Sequence, residues 1–372
     1  MRRTPKENIN QSFINLIRKA HGLIENSDIE KHRHSQDQMG ALFGNSREVA
    51  VMETTVGSMY AEWIRVDRPH SGKKIILYCH GGGYSTGSPL YARTLTTKLA
   101  SQLSMDVFCF DYRLAPEHPY PAAVDDAQAA WDFLMLQGYG AKDIFVAGDS
   151  AGGNLALALG LRLKKQKRML PAGFVLMSPW TDLTVSGKTH ETKADVDPVL
   201  NQNYLNEMIE NYVPQAKKVQ MEAVKPLQEG NTLQAAGTLQ EGNTIRAAGN
   251  LQEGNTLQTA NPLQTDGTEK QKPGDKSANK VFEEIFDTEY LRNPEISPLF
   301  GDFTGFPPTY IQVGDLEVLM SDSTMLQKKM SGDGVAVSLD TYKNMWHVFQ
   351  MGPFKTAVEA IHKCGEFIYS VQ

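Results

Sequence analysis

A serine between small residues is the first group in this sequence that could do chemistry. Residues 148–152 read Gly-Asp-Ser-Ala-Gly, with strand-forming residues before them and an alanine- and leucine-rich helical pattern after them. A G-x-S-x-G turn between a strand and a helix is so sharp that only very small side chains fit two positions before and after the serine. Because the turn leaves the serine hydroxyl free at the end of the strand, Ser150 is the candidate nucleophile.

A glycine-rich loop offers the groups that such a nucleophile needs. Residues 80–83 read His-Gly-Gly-Gly after a short apolar run. A carbonyl under attack develops a negative oxygen, and backbone N–H groups fixed in advance stabilise it. We expect the N–H groups of Gly82, Gly83 and Ala151 to form this oxyanion hole, with His80 in a structural role. A phosphate-binding loop is disfavoured, because the P-loop lysine and the GxGxxG spacing are both missing here.

His347 is the candidate general base, since it follows the last predicted strand in the stretch Asn-Met-Trp-His-Val-Phe. A general base takes the proton from the serine and later returns it to the leaving group. A carboxylate must hold the imidazole in place, and two candidates follow the preceding strand. Asp315 and Glu317 lie two positions apart, so both would point the same way in an extended segment. Their spacing does not choose between them.

The elements that must position these residues alternate along the chain. Two β-rich runs around a Val-Gly-Ser turn predict a hairpin in residues 48–68. From there on, short continuous apolar runs alternate with segments of helical period. This alternation is typical of a largely parallel sheet with helices on both faces. The carboxyl ends of parallel strands meet at one edge, so Ser150, the glycine loop and His347 are expected there together.

One segment lacks this alternation. From Pro226 to about residue 267 the sequence repeats a 12-residue unit such as Thr-Leu-Gln-Glu-Gly-Asn-Thr-Ile-Arg-Ala-Ala-Gly. The units contain few aliphatic and no aromatic residues, too few to offset the entropy of ordering the chain. We expect a disordered or weakly ordered insertion outside the catalytic core. A small solenoid-like or partner-binding element is the alternative.

Composition excludes several classes of function. The formal net charge is -6, and the basic run at 164–168 is short and ends a helix, so no nucleic-acid partner is expected. No segment approaches the roughly 20 apolar residues of a membrane span, and no apolar segment of a secretory signal follows the basic N-terminus. The three cysteines show no CxxC spacing, which favours a reducing, cytoplasmic location. We expect no metal or other cofactor, and His32 and His34 are expected to face solvent.

Seven stretches of the sequence match the motifs of a known family. They are LYCHGGGYSTGS, DYRLAPEHPYPAA, VAGDSAGGNLAL, SPWTDL, DPVL, SPLFGDFTGFPPTYIQVG and MWHVF, and they span about residues 70–370. They resemble the hormone-sensitive-lipase-like group of α/β-hydrolase esterases. The resemblance implies an α/β-hydrolase fold with about eight strands and a small helical cap. Residues 1–45 would form cap helices, and the catalytic domain, 46–372, would carry a cap-region insertion at 181–290.

The resemblance also bears on the choice of acid. Aligning Glu-Val-Leu-Met-Ser-Asp-Ser with the family's acid-containing string puts Glu317 in the acid position, where the family more commonly has an aspartate. Asp315 remains the alternative, with Asp322 a remote third.

These residues predict a serine carboxylesterase that cleaves short- to medium-chain esters through an acyl-enzyme. Tyr84 and Trp180 follow motifs at strand ends and are expected to line the substrate pocket. The alternatives are an amidase or deacetylase on the same triad, and a non-catalytic small-molecule receptor on the same fold. The receptor is disfavoured because Ser150 and His347 are both present. A homodimer through the last strand is a further expectation from the family resemblance.

Overall fold

The computed structural model describes residues 14–15, 17–19, 28–44, 46–68, 73–218 and 285–371. The repeat segment at 226–267 lies outside these ranges, so its insertion character stays a prediction, as do the cap boundaries. Within the described ranges, eight strands form one sheet. They are β1 (Val49–Val56), β2 (Met59–Val66), β3 (Ile75–Cys79), β4 (Asp106–Phe110), β5 (Ile144–Asp149), β6 (Gly173–Met177), β7 (Thr309–Gly314) and β8 (Val337–Tyr342).

The strand order is β1-β2-β4-β3-β5-β6-β7-β8. β1 and β2 form the predicted hairpin, whose turn residue Gly57 has a φ of 61°. β2 pairs antiparallel with β4, and every later pairing is parallel. The expected mostly parallel sheet of an α/β-hydrolase fold is therefore confirmed.

The helices of the described ranges are α1 (Ile29–Phe43), α2 (Pro89–Leu103), α3 (Ala122–Leu136), α4 (Ala151–Lys165), α5 (Thr189–Thr192), α6 (Gln202–Tyr212), α7 (Thr288–Leu291), α8 (Met320–Gly332) and α9 (Lys355–Ser370). Of these, α2, α3, α4, α8 and α9 pack on the strands of the sheet. Short 3₁₀ turns span Ala141–Asp143, Pro214–Ala216, Pro298–Phe300 and Phe349–Met351. None of the helices in the described ranges combines the length and the apolar composition that a membrane span requires.

The core has two layers because successive strand residues face opposite sides of the sheet. In β3, Ile75 and Leu77 belong to the buried cluster that includes residues of α3, α4 and α8. Their neighbours Ile76 and Tyr78 belong to a second buried cluster, on the other face, that includes residues of α2 and α9. Burial on both faces explains why this strand reads as a continuous apolar run.

The ends of segments 73–218 and 285–371 meet in a short antiparallel stem. Lys217 forms an antiparallel bridge with Phe286. The N–H of Lys218 donates to the carbonyl of Ile285 at 2.7 Å, and a second bond of the same length joins the N–H of Asp287 to the Ala216 carbonyl. The chain therefore leaves and rejoins the described fold at one place.

Candidate active site

Ser150 occupies the sharp turn between β5 and α4, where its backbone has a φ of 54° and a ψ of -122°. The turn needs the flanking glycines. A Cβ atom on Gly148 would lie 2.3 Å from the Gly152 carbonyl oxygen, and one on Gly152 would lie 2.0 Å from that of Cys79. The N–H of Ser150 donates to the carbonyl of Met177 in β6 at 2.9 Å. The neighbouring strand thus helps to hold a backbone conformation that costs about 1–3 kcal/mol.

Ser150 lies in the wall of a cavity of about 110 Å³ at the carboxyl edge of the sheet. Four other residues predicted for the site share this wall: Gly82, Gly83, Trp180 and His347. The sequence alone did not reveal the rest of the lining. The apolar members are Val199, Leu200, Leu205, Met208, Val348 and Met351, and the polar side chains are His32, Gln36, Tyr91, Asp149 and Tyr204.

Three backbone N–H groups near Ser150 are available to a ligand. Within the described residues, the N–H groups of Gly82, Gly83 and Ala151 donate to no acceptor. Ala151 is the first residue of α4, whose opening N–H groups have no partner inside the helix. Gly82 has a φ of 111°, a conformation that favours glycine, and its carbonyl accepts from the N–H of Thr86 at 2.9 Å.

Asp149, next to the serine, fixes the start of the glycine loop. Its Oδ1 accepts from the N–H of Gly81 at 3.0 Å and from the Tyr78 hydroxyl at 2.6 Å. Burial raises the pKa of Asp149 to about 6, although the hydrogen bond from Tyr78 and the charge of His347 oppose the rise. The motif residue between glycine and serine therefore ties β5 to the loop after β3.

His80 has the structural environment expected for it. Its ring stacks on that of Tyr112 with centroids 4.0 Å apart, and its Nδ1 lies 2.8 Å from the Gly81 carbonyl. Burial lowers the pKa of His80 to about 4, so the ring is neutral at physiological pH.

His347 is paired with Glu317. The imidazole Nδ1 lies 3.0 Å from Glu317 Oε2, and the carboxylate is fully buried. Burial by itself lowers the pKa of His347. The hydrogen bond and charge of Glu317, with the charges of Asp197 and Asp149, outweigh that effect and raise it above its ordinary value. The pair is therefore arranged to accept and stabilise a proton on the imidazole.

The other two candidate carboxylates are engaged elsewhere. Asp315 Oδ1 accepts from the N–H of Asn344 at 2.6 Å. Asp322 is buried, where it accepts from the N–H of Thr181 at 2.8 Å and lies 3.1 Å from His190 Nε2. Among the described residues, no cluster of three or more His, Cys, Asp or Glu side chains could hold a metal ion.

Two expectations about side chains are wrong. Tyr84 does not line the cavity: it is fully buried, donates to Asn154 Oδ1 at 2.8 Å and stacks on Tyr212 with centroids 3.6 Å apart. Its φ of 64° turns the chain after the glycines, which sends the ring into the core. His32 is buried in the cavity wall instead of facing solvent, with its Nε2 3.2 Å from Gln36 Nε2.

The spacing of residues in α1 could have predicted the burial of His32. His32, Gln36 and Gly40 are four residues apart and share one helical face. A Cβ atom on Gly40 would lie 2.0 Å from the Leu90 carbonyl oxygen, so α1 and α2 approach closely at this glycine. A polar stripe that ends in a glycine therefore marks the inward face of this helix.

Comparison with known proteins decides the family. A sequence profile described as the alpha/beta hydrolase fold matches residues 76–241 and 232–351. The chain belongs to this family. The two matched stretches of this α/β hydrolase overlap at residues 232–241, inside the repeat segment 226–267.

Relatives of this α/β hydrolase agree with the resemblance noted in its motifs. It is 31% identical to an esterase of Acinetobacter venetianus over 337 residues, 90% of this chain and 87% of the relative. It is also 31% identical to an acetyl-hydrolase of Streptomyces hygroscopicus over 324 residues, 87% and 83% of the two chains. A solved hormone-sensitive lipase from a metagenome library shares 31% identity with a TM-score of 0.71, covering 97% of both chains. The expected likeness to hormone-sensitive-lipase-like esterases is confirmed.

Proposed function

We propose that this α/β hydrolase cleaves short- to medium-chain carboxylic esters through an acyl-enzyme on Ser150. One observation carries the proposal: a single cavity holds Ser150, the Glu317-paired His347 and the free N–H groups of the glycine loop. The names of the relatives, esterase and acetyl-hydrolase, support an ester as substrate.

The reaction begins when His347 Nε2 accepts the proton of Ser150 Oγ and the oxygen attacks the ester carbonyl carbon. The carbonyl π electrons move to the oxygen, and the N–H groups of Gly82, Gly83 and Ala151 stabilise the resulting oxyanion. Glu317 holds the Nδ1–H tautomer and stabilises the imidazolium.

Collapse of this intermediate breaks the bond to the alcohol oxygen, which takes the proton from His347 and leaves. Water then attacks the acyl-serine by the same route, giving its proton to His347. Breakdown of the second intermediate releases the carboxylic acid and returns the proton to Ser150. Each half of the reaction therefore returns His347 to its neutral form, and Ser150 regains its proton at the end.

The lining of the cavity suits an acyl chain of limited length. The cavity beside Ser150 has a volume of about 110 Å³, and its apolar walls include Leu205 and Met208 from α6, which suits a hydrocarbon chain. An acyl chain that reaches these side chains can extend further only if they move, which favours short- to medium-chain esters.

A panel of p-nitrophenyl esters from acetate to palmitate tests the proposal, with p-nitroacetanilide as the amide comparison. We expect kcat/KM to be highest from acetate to hexanoate, to fall steeply beyond that length, and to be far lower for the anilide. Ser150→Ala should reduce ester turnover to the level of a blank. Equal turnover by the wild type and this variant would overturn the mechanism, and preference for the anilide would favour the amidase.

We also propose a cytoplasmic homodimer joined through β8. β8 is an edge strand of the sheet, whose outer N–H and C=O groups can pair with a second copy. Cys79, Cys109 and Cys364 are free and buried thiols, which suits a reducing compartment. Light scattering coupled to gel filtration and cell fractionation test the two parts. A monomeric mass, or recovery outside the cytoplasm, would contradict the respective part.

A further inference from the structure

Ser178 lies at the carboxyl end of β6, between the segments that carry the acid and the histidine. Its Oγ is 2.8 Å from Glu317 Oε1, to which it donates. The same oxygen accepts from the N–H of Val348 at 3.2 Å. The side chain is fully buried, so water does not compete for either bond.

We propose that Ser178 is a positioning residue that aligns Glu317 with His347 for proton transfer. The inference rests on the proposed function, because it assigns His347 the role of base. Glu317 Oε1 accepts from both Ser178 Oγ and the N–H of Gly314. Two donors on one oxygen fix the rotation of the carboxylate and leave Oε2 for the imidazole.

Ser178 acts on the histidine side through the backbone. Val348, which follows His347, has a φ of 50°, an uncommon conformation for a β-branched residue. The Ser178 hydroxyl oxygen stabilises this conformation by accepting a hydrogen bond from the N–H of Val348. On the far side, Lys98 Nζ donates to the carbonyl oxygens of Gln350, Met351 and Gly352 at 3.1, 2.6 and 2.9 Å. The segment after the histidine is thus held at both ends.

The hydroxyl itself is held by the sheet. The N–H of Ser178 donates to the Gln312 carbonyl of β7 at 2.7 Å, and its φ is 49°. The position of Oγ therefore follows from the pairing of β6 with β7, the strand that leads into Glu317. One side chain connects the ends of β6 and β7 with the loop after β8.

The test compares Ser178→Ala and Ser178→Gly with wild type on p-nitrophenyl butyrate. Both variants remove the hydroxyl, but glycine adopts a positive φ without strain and so relaxes the backbone. Ser297→Ala is the matched control. Ser297 is also fully buried, and its Oγ accepts from the N–H of Leu183 at 2.9 Å, remote in sequence from the acid and histidine loops.

We expect kcat to fall about 10- to 100-fold in both Ser178 variants, the range for a lost hydrogen bond to a charged group. KM should change less than about twofold, because the hydroxyl does not line the cavity. The pH midpoint of the acid limb of kcat/KM should move down, since the misaligned Glu317 supports protonated His347 less. The charges of Asp197 and Asp149, which also face His347, remain and limit this shift.

Ser297→Ala should keep kcat within about twofold of wild type at a comparable loss of thermal stability. Unchanged kcat and acid limb in both Ser178 variants would overturn the inference, as would an equal loss of kcat in Ser297→Ala. Ser150→Ala separates this failure from failure of the proposed function. If that variant is inactive while the Ser178 variants are fully active, only the positioning role is wrong.

Discussion

Glu317 Oε2 lies 3.0 Å from His347 Nδ1, although the two residues follow different strands, β7 and β8. The parallel pairing of these strands, which brings Gly314 opposite Tyr342, places the two loops side by side. Asp315 is only two residues away from Glu317, but its carboxylate accepts from the N–H of Asn344. The chain therefore turns sharply enough after β7 to separate two carboxylates that an extended segment would have aligned.

The first prediction separates these two carboxylates. Glu317→Gln should lower kcat by about 10³- to 10⁴-fold, because the amide neither fixes the Nδ1–H tautomer nor stabilises the imidazolium. Asp315→Asn should keep kcat within about threefold, since the amide oxygen still accepts from the N–H of Asn344. Steady-state kinetics on p-nitrophenyl butyrate decides between them, and the reverse order of effects would assign the role to Asp315.

The second prediction concerns pH. Attack requires neutral His347, so kcat/KM should rise with pH as this residue loses its proton. Because the pKa of His347 is raised above its ordinary value, the midpoint should lie above about 6.5. Activity is then lost as pH falls through that midpoint.

Asp197→Asn is the comparison variant for the pH profile. Asp197 Oδ2 accepts from the N–H of Val318, next to the acid, and its charge helps to raise the pKa of His347. Asp197 Oδ1 also accepts from the N–H groups of Val199 and Leu200, so the single amide oxygen of an asparagine can keep either these two bonds or the one from Val318. Because the amide carries no charge, the midpoint should move to lower pH. A midpoint that stays in place, or moves up, would contradict the assignment of the acid limb to His347.

The third prediction concerns acyl length. Met208→Ala should enlarge the cavity and shift the best p-nitrophenyl ester to an acyl chain about two carbons longer. The variant should also lose about 2–5 kcal/mol of stability, the usual cost of truncating a buried methionine. Met330→Ala, which truncates a fully buried methionine of α8, is the control for stability alone. An identical change of preference in both variants would show that Met208 does not set the chain length.

The fourth prediction concerns the repeats. Deletion of residues 226–267 should leave kcat/KM for p-nitrophenyl butyrate and the Tm nearly unchanged. The reason is the stem that joins Lys217 to Phe286, which brings the flanking chain together. A large loss of turnover with an unchanged Tm would instead mean that the repeats serve the active site.

The positions of most elements could be predicted from the sequence, for a physical reason. Strands buried on both faces need uninterrupted apolar runs, and the run Ile75–Cys79 is one. The nucleophile turn can be recognised in the sequence because the backbone approaches Gly148 and Gly152 so closely that no side chain fits at either position. Such local constraints restrict the residue types that can occur, so they can be recognised from the sequence.

Side-chain environments set by distant segments could not be predicted. Tyr84 follows the glycine loop directly, yet its ring packs on Tyr212 of α6. The sequence around His32 suggests an exposed residue, but the close packing of α1 on α2 at Gly40 buries its side chain. The spacing of Asp315 and Glu317 likewise did not choose the acid, because their separation depends on the turn after β7; only the alignment with the family's motif favoured Glu317.

The central claim is that Ser150 forms the acyl-enzyme, and trapping this intermediate tests it most directly. The wild type is mixed with p-nitrophenyl butyrate, quenched in acid within milliseconds, digested and analysed by mass spectrometry. We predict a butyryl group on the peptide that contains Ser150, and none on that peptide from Ser150→Ala. A butyryl group on another residue during turnover, with Ser150 unmodified, would contradict the account.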